Sequence, residues 1–433
     1  MELTGLSTDQ APPISAPLRF FLTAPLFAIL AGLLIFGTET DALISRFSYE
    51  TIAIAHALTV GFLGFVMLGA LTQMLPVLAG VKIYKVESLT IISYILLVIG
   101  LLSMVFGLYF QKHILNFVAS GTLTLGFLLL IVPMLFAIKK VVNFTPTVKA
   151  MGVSLFFAFV SVLLGAHLLA SHASGNIASS HYIFANIHSV WTIFGFAGVL
   201  IIGVAFQVLP MFYVAPRFKQ FCKRRVVLLI SIGLILWAFT NIFFTQYDFI
   251  AKIWIGLFFW AFVTTVWIKL NKRRRPVRDV TVLYWRSSSI FLTLGIFAWV
   301  FNSFLDDKMI VIVSVLIGGG FVISIMIGML YKIIPFLVWF HLNARGYMNI
   351  PTMNEMIDKR VANIQFVLYI LALIGFVFSY FYPRFLELSS LSFILSMILL
   401  EYNVINPVLI YSKIMKTKPD FDMSAFGMMH EEQ

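Results

Sequence analysis

His56, His167 and His188 each stand inside a long run of apolar residues, where a polar side chain is costly and tends to face the interior of a helix bundle or a ligand. Neutral imidazole in such a medium is a good ligand for haem iron and for copper. The simpler alternative is that each ring hydrogen-bonds a neighbouring carbonyl. His172 and His181 bound the connection SHASGNIASSH, and read either as loop residues or as weak metal ligands at its mouth. Glu401, in LLEYNVINP, is the other costly residue; Lys332 is its candidate partner, in a proton path or in a structural ion pair.

The elements that must hold these residues follow from composition. Of the 433 residues 61% are hydrophobic and 11% charged, with a mean hydropathy of +1.00, which excludes a soluble domain. Twelve apolar runs have the length a helix needs to cross about 30 Å of hydrocarbon. They cover 17–37, 52–79, 89–109, 114–138, 148–172, 181–212, 226–245, 249–268, 283–305, 309–340, 361–381 and 388–412. The expectation is an all-α integral membrane protein in a lipid bilayer. Residues 1–16, polar and without the pattern of a cleavable signal, and residues 413–433 form its tails.

Charge sets the expected orientation. With the N-terminus cytoplasmic, Lys139, Lys140, Arg224, Arg225, the run KLNKRRRPVRD and most other cations fall on the cytoplasmic side, against Arg46, Lys112, Lys252, Lys308 and Arg384 outside. That asymmetry places both termini in the cytoplasm, as in the inner membrane of a bacterium. The net charge of +12 therefore reports topology rather than nucleic-acid binding, since no aromatic residues interleave the basic run. The single cysteine, Cys222, excludes an intramolecular disulfide and a cysteine metal cluster.

A short pattern recurs. Gly69-Ala-Leu-Thr-Gln73-Met-Leu-Pro76, Gly203-Val-Ala-Phe-Gln207-Val-Leu-Pro210 and Gly328-Met-Leu-Tyr-Lys332-Ile-Ile-Pro335 end the second, sixth and tenth runs. Three units of four helices result: 17–138, 148–268 and 283–412. On the expected topology His56, His167 and His188 lie roughly 8–11 Å below the outer boundary at 1.5 Å per residue. The third unit lacks the ligand. His56 precedes Pro76 by 20 residues and His188 precedes Pro210 by 22, but the same steps back from Pro335 reach Val315 and Val313.

Twelve helices in three quartets, with outer-side histidines on helices 2 and 6, resemble the fold of haem–copper oxidase subunit I. The opening run PLRFFLTAPLFAIL, with His56, Gly61, Gly69, Pro76 and Gly80, is more closely similar to the NnrS-type haem- and copper-containing membrane proteins linked to nitric oxide. The resemblance matches His56 to a haem ligand and His188 to a copper ligand, with nitric oxide or oxygen as the small ligand; the shared depth of the three rings adds His167 to the candidates for haem or copper, and His172 and His181 remain weak metal candidates. Where that family often carries a second histidine and an acidic residue, this chain has Ile54 and Ala57, and the remaining oxidase ligands are missing. The expected function is accordingly a haem-binding membrane protein rather than a complete terminal oxidase. A twelve-helix secondary transporter and a non-catalytic haem or metal sensor or oxidase-assembly protein are the alternatives.

Overall fold

The computed structural model describes residues 10–304 and 309–421. Lys308, His430 and the distal parts of both tails lie outside them. Among the described residues twelve helices are long and apolar enough to cross a bilayer: α1 (Ser15–Phe36), α2 (Tyr49–Ala79), α3 (Val86–Tyr109), α4 (His113–Lys139), α5 (Pro146–Ser174), α6 (His181–Tyr213), α7 (Gln220–Phe243), α8 (Thr245–Asn271), α9 (Val280–Phe301), α10 (Ile310–Ala344), α11 (Lys359–Ser379) and α12 (Phe385–Ile414). Every expected run is present. Their starts are written in cap chemistry, because a helix leaves its first N–H groups without partners. Ser48, Thr145, Asp279 and Asp358 each accept a backbone N–H at the start of α2, α5, α9 and α11. Gly80 and Gly175 take the left-handed conformation that stops α2 and α5.

Nine helices form a closed rim in the order α1, α3, α4, α5, α7, α8, α9, α11, α12, with α12 packed against α1. α2, α6 and α10 stand inside it. Of their apolar stretches 67%, 78% and 67% is buried, against 28–50% for each rim helix. Outward rim residues such as Ile91, Ile95 and Ile99 on α3, or Leu388, Leu391 and Leu395 on α12, are exposed and apolar, as a lipid-facing belt requires. Three arcs result, each bounded by two inner helices: α2–α6, α6–α10 and α10–α2.

The repeat read from the sequence goes deeper than its prolines. Each inner helix widens into a π-helical segment: Ala57–Gly64 in α2, Trp191–Gly198 in α6 and Val315–Ile323 in α10. All three stop 12 residues before the repeated proline, at Gly64, Gly198 and Ile323. One contact fixes the common register. A Cβ placed on Gly61, Gly195 or Gly320 would lie 2.5–2.6 Å from the side chain of Phe27, Phe157 or Phe291 respectively. Only glycine lets the first rim helix of each unit approach this closely. Carbonyls displaced by the wider winding find new donors: Ser154 Oγ donates to the Phe196 carbonyl and Tyr369 Oη to that of Gly319, both at 2.8 Å.

Candidate functional site

His56 and His188 meet across the α2–α6 arc. Their rings are 15° from parallel with centroids 6.0 Å apart, and both line a cavity walled by α2, α3, α4, α5 and α6. The cavity has about 100 Å³ open to the centre of a water molecule, and about 720 Å³ not filled by atoms when its mouth is counted. The first measure is the one to set against cofactor pockets of about 300–1,000 Å³, and it is smaller, so a bound macrocycle would need the walls to move apart.

Backbone carbonyls orient both rings. His56 Nδ1 lies 2.7 Å from the Ile52 carbonyl on its own helix, and His188 Nδ1 lies 2.9 Å from the Ser161 carbonyl on α5. A carbonyl only accepts, so each Nδ1 carries the proton and each Nε2 keeps its lone pair. Among the described residues neither Nε2 makes a hydrogen bond. That tautomer, fixed by an outer partner, is how proteins present histidine to a metal. Gly165 forms the floor: a Cβ there would lie 2.9 Å from His188 Cε1. Four of the cavity's hydroxyls are engaged: Thr59, Thr124 and Thr192 donate to carbonyls one turn back on their own helices and Ser120 to the Ala166 carbonyl on α5, while Ser161 Oγ is buried without a hydrogen-bond partner. The Nε2 atoms of the two imidazoles and the Ser161 hydroxyl are thus the unpartnered polar groups of a largely apolar chamber.

Haem iron fits this donor set. With ring centres 6.0 Å apart, His56 and His188 are the residues that would hold one iron between them. Haem needs no more than these two nitrogens from the protein. Copper fits less well, because its usual sites take three or more ligands and no group of three or more His, Cys, Asp or Glu is arranged to hold a metal among the described residues.

Register explains why the α2–α6 arc holds this chamber. His56 is 20 residues before its proline and His188 is 22, so they are not copies of each other. The two-residue difference turns them about 200° apart around the helix at 100° per residue, as facing one arc from opposite sides requires. The α6–α10 arc has Val190 and Val313 at these registers, and the α10–α2 arc has Val315 and Ile54. Space follows the same logic. Gly165 lies eight residues after Phe157, as Trp299 lies after Phe291, and Val60 corresponds to Phe194. In the α6–α10 arc Phe194 and Trp299 stack at 4.7 Å and fill the interior. Small residues at the equivalent places leave the first arc open.

His167 does not join the pair. Ala158, Ser161, Val162, Gly165, Ala166 and Leu169 are the α5 residues that line the cavity. His167 is two residues past Gly165, so its ring lies outside, exposed and edge-on to Phe184 at 5.5 Å. His172 and His181 are helical rather than in a loop, on the last turn of α5 and at the first residue of α6. Their rings meet edge to face at 4.9 Å, and each has a buried Nδ1 without a hydrogen-bond partner. His172 also packs on Tyr49, at the start of α2.

Glu401 and Lys332 are likewise not partners. Lys332 pairs with Asp279 at 2.6 Å, whose carboxylate also accepts from the Thr281 N–H and hydroxyl. Burial opposes the Asp279 charge, but the Lys332 ammonium and the Thr281 donors outweigh it and hold the carboxyl below its ordinary value. The Oε2 of Glu401 is buried without a hydrogen-bond partner. Asp279 closes the run KLNKRRRPVRD, where basic neighbours hid it; its place just before an apolar helix was the usable signal. Ser161 and Gly165 left no such signal, since one acts through its backbone and the other by lacking a side chain. Compared with models of known protein families the chain matches none, and comparison with curated proteins gives no significant match.

Proposed function

We propose that this chain is a haem-binding protein of the bacterial inner membrane, with both termini cytoplasmic, that handles a small redox ligand such as nitric oxide or oxygen. His56 and His188 are the residues that would hold the iron. The observation that carries the reading is the pair of imidazoles in one cavity, each fixed through Nδ1 with Nε2 left unpartnered. The lopsided distribution of lysine and arginine supports the orientation.

Haem, when bound, supplies one-electron chemistry in a medium of low dielectric. The chain supplies the rest. Ile52 and Ser161 hold the two imidazoles in the ligating tautomer, and Gly165 leaves room for the second ring. The apolar walls keep water from the imidazoles. Were His56 and His188 both to hold the iron, the site would favour carrying electrons, and handling a gas ligand would call for the release of one of these two imidazoles.

Protein purified from haem-replete cells tests this. The expected result is a Soret band with one haem per chain, absent from His56→Ala or His188→Ala, and unchanged when carbon monoxide is added to the reduced wild type. A colourless wild type that is correctly folded would overturn the proposal.

A further inference from the structure

A second cavity lies where α2, α6 and α10 face one another, nearer their prolines, and it is independent of whatever the histidine chamber holds. Each inner helix gives it the same registers. Met67, Ile201 and Met326 stand nine residues before Pro76, Pro210 and Pro335, and Ala70, Val204 and Met329 stand six before. About 40 Å³ is open to the centre of a water molecule, where one water needs about 10–15 Å³ on that measure and two to four polar partners. The wall is apolar. Trp285 Nε1 is the one unpartnered nitrogen or oxygen among the lining side chains, short of the two to four partners a water needs, so the space stays dry.

We infer that this cavity is a binding site for small uncharged apolar molecules of the size of a diatomic gas. Two physical terms draw such a guest in. Atoms lining a void lack dispersion partners on one side, and an apolar guest restores them. The bilayer around the rim is the medium in which apolar gases concentrate, so the guest need not cross water at the last step. The methionines make entry feasible: Met67, Met74, Met151, Met326 and Met329 line the space, and unbranched thioethers change rotamer easily. A charged ligand is disfavoured, because no carboxylate or ammonium faces the cavity.

Xenon is the probe. Diffraction from xenon-pressurised crystals of the full chain is expected to show one site among Met67, Ile201 and Met326, and xenon-129 NMR in detergent a matching bound population. Ala70→Leu and Ala205→Leu, which fill the space, should each weaken xenon binding at least tenfold without lowering the melting temperature. Leu200→Ala, which enlarges it, should strengthen binding severalfold, and carries the test where a filling variant does not fold. Absence of xenon from the wild type, ordered water in the cavity, or xenon binding unchanged in all three variants would overturn the inference.

Discussion

Replacing Gly165 with alanine tests the candidate site at its tightest contact. The new Cβ would lie 2.9 Å from His188 Cε1, where ordinary contact begins at 3.4 Å, so the ring must retreat by about half an ångström. It retreats while its Nδ1 is held at 2.9 Å by the Ser161 carbonyl. Overpacking costs about 1–3 kcal/mol, and a weakened hydrogen bond adds about 0.5–1.5 kcal/mol. If ~2 kcal/mol of this falls on the ligand geometry, haem affinity drops about 30-fold at 1.4 kcal/mol per decade. That lies within the 10–100-fold usual for a ligand's supporting shell. Absorbance titration of haem into the apoprotein measures it. Ser161→Ala is the control, because the carbonyl that holds His188 belongs to the backbone and survives the change; its affinity should match the wild type. Gly165→Trp, which recreates the Trp299 arrangement of the next arc, should fold without binding haem. Wild-type affinity in Gly165→Ala, or a loss in Ser161→Ala as large as in His188→Ala, would refute the reasoning.

Three further outcomes follow from the packing and the charges. Alanine at Gly61, Gly195 or Gly320 should destabilise by about 1–3 kcal/mol each, read as earlier thermal unfolding in detergent, because each position meets a phenylalanine at 2.5–2.6 Å; three silent variants would dissolve the common register. Asp279→Ala should cost about 1–3 kcal/mol, below the 3–5 kcal/mol of a fully buried pair, since the Lys332 and Asp279 side chains remain 12% and 21% exposed. Its carboxyl is held below its ordinary value, so the pair's stabilisation is complete above about pH 4 and lost as pH falls through the depressed folded value; a wild-type melting temperature no more acid-sensitive than that of Asp279→Ala would contradict this. Glu401→Gln should leave unfolding unchanged or delay it, because the buried Oε2 has no partner to lose; marked destabilisation would restore Glu401 to an ion pair.

Depth along a helix is written plainly in this sequence, and direction around it is not. Apolar length gave all twelve spans, and the Gly and Pro spacing pointed to three units, because both depend on position along the axis. His167 shows the limit. Expected at the same depth as His56 and His188, it points away, since two residues along α5 separate it from the cavity-lining Gly165. The proline count that showed His56 and His188 out of register by two residues already held the clue that they face one arc from opposite walls. The π-helical segments were beyond reach, because their sequences differ from ordinary apolar helix only in glycine content. Lys332 was read against the wrong carboxylate because Glu401 lies in an apolar run and draws attention, whereas Asp279 hides at the end of a basic loop.

Low-temperature electron paramagnetic resonance of the oxidised, haem-loaded protein tests the central claim most directly. If His56 and His188 both hold the iron, the wild type should give a low-spin ferric signal that turns high-spin or disappears in both His56→Ala and His188→Ala. A high-spin wild-type signal, or a low-spin signal that survives loss of either histidine, would contradict the assignment of this pair as the iron's ligands.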